Sequence, residues 1–516
     1  MKTKHRILLP AMLFILASGL GSCSGFLDKD PLVESAAETY YSTEGEINDA
    51  IIGIYSITQN EGFQLAPFLL IGDDCSDDSD LGNSNSEAFS WLGSPAQQMQ
   101  RFETTPTNWV SNALWSQGFR GITWATKAIE RISENQTVTD GRKNQFLGEA
   151  YYLRAFNYFF LTRQYGRMPV IDHVLTYEEY YMPRVSIEDT WTHIENDLKN
   201  AADMLPEKDR MAATDLGRAT KGAANALLGK AYVYQRKWQE AYDALSKVAT
   251  SGQYSLEPQY ADIFTLEHEN GIESIYEIQH SISGTGWADS NEGSILSFYE
   301  HDADPEDMVK WHNGWSMHCP TADFVNAFEP GDPRLAATVI FPDEFFDGRI
   351  HKNVASSTGY QPKKWYIPYD RRSQIDQSDC PKNIIFMRYA DVLLMLAEAA
   401  NEIGKTAEAL AYLEQVRGRA RANSTEAGVL PEIKETGKDA LRALIWQERR
   451  VELGCEGQRF WDIVRQGRAG QVMKAYAAKY NSIKGSNFVE GKSEVFPIPD
   501  AQVTISNGTM EQNPGY

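Results

Sequence analysis

The chain has 516 residues, 42% of them hydrophobic, so it is long enough to bury a large core. Its formal net charge is −22, which argues against nucleic acid or an anionic membrane face as partners of the folded body, because both bind basic surfaces. The five cysteines form neither a CxxC pair nor a zinc-ligand spacing, so buried thiols and disulfide bonds both stay open as alternatives.

Residues 1–22 are typical of a secretory signal peptide, in which three basic residues precede a short apolar run that small residues close. The run is shorter than the roughly 20 residues that a membrane-spanning helix needs. The small residues lead directly into Cys23, as in a bacterial lipobox, where the cysteine is acylated and becomes the first mature residue. We therefore predict lipid attachment at Cys23 and a polar tether over residues 23–42. An ordinary secretory signal followed by a chance cysteine is the alternative.

Helical spacing of apolar residues begins near Thr43, where acidic residues in the first turn favour a helix start. Two later stretches, residues 231–245 and 399–413, match each other at a constant offset. Each pattern predicts a helix, a short turn and a second helix, with small residues where the helices cross, as in a tetratricopeptide unit. Because the two copies are far apart in the sequence, we expect them not to form one continuous array.

Two regions are predicted to be loops. Residues 72–83 contain five aspartates within eight positions, a cluster that could attract Ca²⁺. The spacing and the terminal Glu of an EF-hand are absent, so we favour a solvated or ligand-facing loop and keep a Ca²⁺ site as the alternative. Residues 253–381 are rich in Gly, Pro, Asp and aromatic residues, with one short strand predicted over residues 274–279. Irregular stretches of this length are commonly functional.

Motifs of catalysis are missing. The sequence contains no HExxH helix, no GxSxG elbow, no Walker loop and no GxGxxG fingerprint, so we predict a protein that is not an enzyme, with no catalytic residue, cofactor or metal site. A carboxylate pair for glycoside hydrolysis stays open, because 71 acidic residues offer many pairs. The Arg- and Glu-rich stretch over residues 447–452 is interpreted as a partly buried ion-pair network between helices.

Motifs along the whole chain resemble those of the SusD/RagB family of outer-membrane lipoproteins from Bacteroidetes. They are Cys23 with Phe26-Leu27-Asp28, Leu153-Arg154-Ala155 with Tyr165-Gly166, Met387 to Leu394, Glu398, Val416-Arg417, Glu448 to Leu453, Gly457 to Asp462, and Gln512 to Tyr516. The resemblance implies a mostly α-helical fold in which tetratricopeptide-like pairs form a scaffold, with a loop-rich ligand-binding side and few short strands. It also implies one SusD-like domain over residues 43–516, divided into 43–252, the loop-rich insertion 253–381, and 382–516.

The resemblance further implies a function. A family member is anchored by its lipid on the extracellular face of the outer membrane and acts as a hinged lid on a SusC-like TonB-dependent transporter. It captures nutrients, usually glycans, for import. Capture of peptides or another nutrient is the main alternative, followed by a lipid-anchored glycoside hydrolase and by a scaffolding adaptor of helical repeats.

Flat aromatic rings stack on the apolar faces of sugars, while neighbouring polar groups take hydrogen bonds. The family's ligand residues lie outside its shared motifs, so candidates come from the predicted loops alone. The candidates are Trp91, Trp287, Tyr299, Trp311 and Trp315, with Asp77, Asp78 and Asn83 as polar contacts. Core packing is the alternative for each tryptophan. Five tryptophans on predicted helical faces are expected in the core, namely Trp115, Trp124, Trp238, Trp446 and Trp461.

Overall fold

The structure, a computed structural model, describes residues 40–82, 93–285, 292–300, 314–372 and 378–516. The predicted signal peptide, Cys23 and nearly all of the tether lie outside these ranges. The described chain is mostly helical, which confirms the predicted fold class. The long helices are α1 (Glu44–Gln59), α2 (Trp109–Glu134), α3 (Asp140–Tyr165), α4 (Ile187–Met204), α5 (Lys221–Tyr234), α6 (Trp238–Ala249), α7 (Tyr389–Glu402), α8 (Thr406–Ala422), α9 (Lys438–Glu452), α10 (Arg459–Arg465) and α11 (Ala469–Tyr480).

Short helical segments fill many of the connections between the long helices. The α-helical ones are Glu61–Gln64, Gly93–Gln100, Ile295–Glu300, Ala322–Val325, Arg334–Thr338, Ile483–Asn487 and Asp500–Ile505. Leu65–Asp74 is a π-helix. The 3₁₀ segments are Tyr177–Glu179, Lys208–Arg210, Ala213–Asp215, Tyr260–Phe264, Leu266–His268 and Tyr369–Arg371.

The strands are short and pair only in twos. They are β1 (Ser79–Asp80), β2 (Ser274–Ile278), β3 (Cys319–Pro320), β4 (Val339–Ile340), β5 (Glu344–Phe346), β6 (Arg349–His351), β7 (Gln361–Pro362) and β8 (Ile384–Arg388). The antiparallel pairs are β1 with β3, β2 with β8, β4 with β7, and β5 with β6. The β2–β8 pair joins the start of the insertion to the strand that leads into α7, so the insertion leaves and re-enters the helical body at neighbouring points.

Local sequence explains where the helices begin and end. Thr43 caps α1 through a capping box with Glu46, and the isoleucines at helical spacing in α1 are buried, as predicted. Helix α3 stops at Gly166, whose φ of 76° suits a residue without a Cβ atom. Both predicted helix–turn–helix units are present, as α5–α6 and as α7–α8.

Helices α2 to α8 pack one against the next in chain order, and α6 lies directly against α7. The expectation that the two repeat units would not form one array was therefore wrong. The units are distant in the sequence but pack side by side, because the insertion of residues 253–381 loops out between them. Small residues permit the close crossing. A Cβ atom on Gly229 of α5 would lie 2.4 Å from Cγ of Leu245 in α6.

One large hydrophobic cluster forms the core, and it contains Trp115 and Trp461 as predicted. Trp238 is partly buried against the same cluster. The prediction for Trp124 was wrong, since its side chain is 44% exposed. Trp124 follows Ile122 by two positions, which places it about 200° around α2 from that buried residue.

The thiols of Cys75, Cys319, Cys380 and Cys455 are all free and buried, so of the two alternatives for these four residues the structure supports buried thiols. Among the described residues, no helix combines the length and the apolar character needed to cross a membrane.

Candidate ligand-binding face

A buried ion-pair network holds the insertion against the helical body. We call it the Arg388 network, and its members are Glu273, Asp332, Arg334, Lys364, Arg388, Arg417, Arg419, Glu448, Glu452 and Glu456. Each of these residues is nine-tenths or more buried. Residues from the insertion, from β8 and from helices α8 and α9 all contribute, so the network fixes the loop-rich side relative to the scaffold.

Glu452 is the most densely paired carboxylate of the Arg388 network. Its oxygens accept hydrogen bonds from Arg388 at 2.6 Å, Arg419 at 2.5 Å and Arg334 at 3.0 Å. Burial by itself raises the pKa of Glu452, but the three guanidinium groups lower it by more than burial raises it. The net result is a pKa far below the usual range. The interpretation of residues 447–452 as an ion-pair network between helices is confirmed.

The acidic segment, residues 73–80, is not the solvated loop that we predicted. It begins at the end of the π-helix Leu65–Asp74, whose ten residues are all buried. Asp77 and Asp78 are 4% and 3% exposed. Arg459 donates to both oxygens of Asp77, at 2.8 and 2.9 Å, and Arg450 donates to Asp78 at 2.7 Å.

The prediction that Asp77 and Asp78 contact ligand is therefore not supported by the structure. Burial raises the pKa of Asp77, yet Arg459 and Arg450 lower it more, so this carboxylate stays ionised and committed to its arginines. Sequence reasoning failed here because a run of aspartates is usually solvated, whereas the arginines that neutralise this run lie more than 370 residues away in the chain.

The first two aspartates of this segment, Asp73 and Asp74, form a second group with Glu300 and His318. The Nδ1 atom of His318 is 3.1 Å from Glu300 Oε2, and its Nε2 atom is 3.8 Å from Asp73 Oδ2. Burial raises the pKa of Asp73 to about 7 and that of Asp74 to about 8, and it holds the pKa of Glu300 well above the usual range. Asp74 therefore carries a proton at neutral pH.

Three aromatic residues meet where the described chain stops at Glu300 and resumes at Gly314. We call Phe298, Tyr299 and Trp315 the aromatic edge. The Trp315 ring centroid lies 4.9 Å from that of Tyr299 and 5.1 Å from that of Phe298. Backbone hydrogen bonds from Trp315 to Phe298 and from Met317 to Tyr299 hold the two stretches together.

Within the aromatic edge the side chains differ in exposure. Tyr299 is fully buried, and its hydroxyl donates to Glu61, so the prediction that it stacks directly on ligand is not supported. Trp315 is partly exposed and rests on Tyr299 as a second layer. The other predicted contacts, Asn83, Trp91, Trp287 and Trp311, lie outside the described residues.

A cavity of about 470 Å³ opens within the insertion, and sequence reasoning did not find it. We call it the insertion cavity. Its walls include Phe264, Glu267, Phe346, Lys363, Tyr366 and Arg371. The volume falls within the roughly 300–1,000 Å³ of small-molecule sites, and the walls are mainly apolar. No motif marks this cavity, because its walls come from four separate stretches between residues 261 and 371.

Each of the three charged residues that line the insertion cavity, Glu267, Lys363 and Arg371, belongs to an ion pair. Lys363 lies 2.7 Å from Glu344 and 4.1 Å from the ring centroid of Phe346. Arg371 lies 2.5 Å from Glu267, and both side chains are about half exposed. The Arg371–Glu267 pair can reorient toward a polar ligand at small cost, because exposed ion pairs contribute little to stability.

Two of the shared family motifs, Gln512 to Tyr516 and Gly457 to Asp462, also have structural roles. The side-chain amide of Asn513 donates to the carbonyls of Tyr165 and Phe496 and accepts from Arg184, which pins the C-terminal tail to the end of α3. Gly457, with φ of 69°, donates to Asp73 at 2.7 Å and approaches the π-helix too closely for a Cβ atom. The shared motifs therefore build the frame that carries the candidate face.

Comparison with known proteins identifies this frame. The profile of the SusD family matches residues 272–516, and a profile described as starch-binding and associating with the outer membrane matches residues 25–233. SusD-like protein P2 of Formosa agariphila is 26% identical to the chain, over 97% of the chain and 98% of that protein. The starch-binding protein SusD of Bacteroides thetaiotaomicron is 22% identical over the full length of both.

A solved structure gives the same result in three dimensions. A laminarin-binding SusD-like protein superposes with a TM-score of 0.78 at 26% identity, covering 92% of this chain and all of the other. The two profiles together leave only residues 1–24 and 234–271 unmatched. On the predicted motifs, the helical frame and these matches, the chain belongs to the SusD/RagB family.

Proposed function

We propose that this protein is a non-catalytic, lipid-anchored glycan-binding protein of the outer cell surface. In this role it would deliver oligosaccharide or polysaccharide to a SusC-like TonB-dependent transporter. The observation that carries the proposal is the likeness, over nearly the whole of both chains, to a protein whose name states that it binds laminarin. The starch-binding name of a second full-length relative supports the same class of ligand.

The geometry supports glycan contact at the aromatic edge. Trp315 is a partly exposed ring supported from behind by Tyr299 and Phe298, so it is held in one orientation before a ligand arrives. A ring fixed in this way loses little side-chain entropy on binding. The predicted contact Trp311 precedes Trp315 by four positions in the sequence and lies outside the described residues.

Substitution of Trp315 by alanine tests this site. We expect the affinity for a bound glycan, measured by calorimetry after screening a polysaccharide panel, to fall at least about tenfold. Trp124→Ala is the matched control, because it removes an exposed tryptophan from the helical side. Unchanged affinity in Trp315→Ala would remove the aromatic edge from the site. Loss in Tyr366→Ala instead would place the ligand in the insertion cavity.

The same panel separates the alternatives. Binding of peptides but of no glycan would favour the other nutrient-capture role, and release of shorter sugars from a bound glycan would identify a hydrolase. The acidic segment does not favour the hydrolase, because the carboxylates of Asp77 and Asp78 are buried against arginines and are not available for acid–base catalysis.

The anchor and the transporter are tested in cells. A Cys23→Ser variant is expected to lose acyl labelling and to leave the membrane fraction. Protease treatment of intact cells is expected to remove the wild-type protein. Isolation of the protein from detergent-solubilised outer membranes is expected to recover a TonB-dependent transporter in comparable amount, and its absence would refute the delivery role.

A further inference from the structure

Three side chains of metal-ligating type converge at the start of the insertion. Glu257, Asp262 and His268 each offer one ligand atom, and these atoms lie within 4.8 Å of one another. All three side chains are partly buried. Within the part of the chain that the structure describes, no lysine or arginine forms an ion pair with either carboxylate. Two carboxylates this close together without a counter-charge repel each other unless a cation lies between them.

The backbone beneath these side chains is already fixed. The N–H of Glu257 donates to Glu273 at 2.7 Å, and Arg419 donates to the carbonyl of Glu257 at 3.1 Å. Tyr260 donates through its N–H to Asn423 at 2.9 Å and through its hydroxyl to the carbonyl of Glu452 at 2.7 Å. The stretch is therefore tied to the Arg388 network, and ligand binding would need little further ordering of the chain.

The hydroxyl group of Thr265 lies against the ring of His268. Thr265 Oγ1 donates its single hydrogen to the carbonyl of Asp262 at 2.8 Å. The same oxygen lies 2.9 Å from Nδ1 of His268, so it can only accept a hydrogen bond there. Acceptance of a hydrogen from Nδ1 would leave Nε2 as the ring nitrogen with a lone pair for a cation. A hydrogen bond from the other ring nitrogen is the arrangement found in metal-binding histidines.

We propose that Glu257, Asp262 and His268 bind a divalent cation of the zinc type. An imidazole nitrogen with two carboxylates suits Zn²⁺, whereas Ca²⁺ takes about 6–8 oxygen ligands, more than these side chains supply. Bonds of about 2.0–2.2 Å place two ligand atoms at most roughly 4.4 Å apart, so small side-chain rotations complete the site. Glu257 and His268 also line a cavity of about 10 Å³, which is space for about one water molecule as a fourth ligand.

The position gives the ion a structural role. Ala261, Phe264 and Leu266 lie between the proposed ligands in the sequence, and all three line the insertion cavity. An ion bound to residues 257, 262 and 268 closes this short stretch on itself and stiffens one wall of that cavity. The site is independent of the glycan-binding role, since it requires neither the aromatic edge nor a sugar.

Zinc titration of the purified full-length protein after EDTA treatment tests the proposal, with a chromophoric chelator as competitor. We expect one equivalent of Zn²⁺ to bind and the thermal unfolding midpoint to rise. His268→Ala and Asp262→Asn are expected to weaken binding by more than about tenfold, and Thr265→Val, which removes the hydroxyl that orients the ring, by about 10–100-fold.

His173→Ala is the matched control. His173 also lies between two carboxylates, Asp172 at 2.7 Å and Glu179 at 3.1 Å, but both of its nitrogens are engaged directly by them. Circular dichroism of each variant checks that it is folded. Equal Zn²⁺ affinity in wild type, His268→Ala and Asp262→Asn would overturn the proposal. Tighter binding of Ca²⁺ than of Zn²⁺ would overturn the assigned class of metal.

Discussion

Replacement of Glu452 by glutamine measures how strongly the Arg388 network stabilises the fold. The amide preserves the shape of the side chain but removes one negative charge. Among the ten buried members, five cations (Arg334, Lys364, Arg388, Arg417 and Arg419) face five anions (Glu273, Asp332, Glu448, Glu452 and Glu456), and Arg417 also pairs with the half-exposed Glu329. The variant therefore removes the buried negative charge that Arg334, Arg388 and Arg419 share.

The magnitude follows from the three partners of Glu452. Unit charges about 4 Å apart interact by roughly 4 kcal/mol at an effective dielectric constant of about 20. The desolvation of the carboxylate offsets much of this attraction, and removal of one partner from a buried pair typically costs about 3–5 kcal/mol. We expect Glu452→Gln to lower the free energy of unfolding by about 4 kcal/mol, which is a large share of the roughly 5–15 kcal/mol of a typical domain.

Urea denaturation followed by tryptophan fluorescence gives the free energy of unfolding for wild type and variant. Asp343→Asn is the control, because Asp343 forms an exposed ion pair with Lys352 at 2.6 Å, with side chains 73% and 54% exposed. We expect a change within about 0.5 kcal/mol there. A loss in Glu452→Gln no larger than in this control would refute the reasoning.

The difference between wild type and Glu452→Gln also depends on pH. The pKa of Glu452 is lower in the folded protein than its ordinary value of 4.5. The stabilisation is therefore fully present above pH 4.5 and is lost as the pH falls below it, because the unfolded chain takes up the proton first. A difference that stays constant between pH 7 and pH 3 would contradict this assignment.

Two further predictions concern stability. Burial raises the pKa of Asp74 to about 8, so the folded protein holds a proton that the unfolded chain releases near pH 4, and wild type should lose stability as the pH rises toward 8. Asp74→Asn should show a smaller loss in urea titrations over this range, and parallel curves would argue against it. Gly229→Ala should cost about 1–3 kcal/mol, because the new methyl group would meet Leu245, while Gly141→Ala, with no atom within 4 Å, should be neutral or slightly stabilising.

Short-range patterns in the sequence predicted the local elements well. The acidic first turn after Thr43 and the apolar spacing of the helices act within a few residues, so the sequence alone contains their cause. The matching helix–turn–helix units were found for the same reason. Trp124 shows the limit of this reasoning. We expected it in the core because tryptophan is usually buried, but it lies opposite the buried face of α2 and is exposed.

The candidate site was predicted less well, because its chemistry depends on partners far away in the chain. The aspartates at positions 77 and 78 looked available to solvent until Arg450 and Arg459 were brought onto them. Likewise, the walls of the insertion cavity come from four separate stretches, and no local pattern signals that they meet.

The sequence by itself determined the helical class, the family and the repeat units, because these follow from periodicity, capping residues and motifs that are local. Only the tertiary structure decided which charges are buried and paired, which aromatic rings face solvent, and that α6 and α7 are neighbours across the insertion. The physical reason is that burial and ion pairing are properties of contacts between distant residues, which no single stretch of the chain contains.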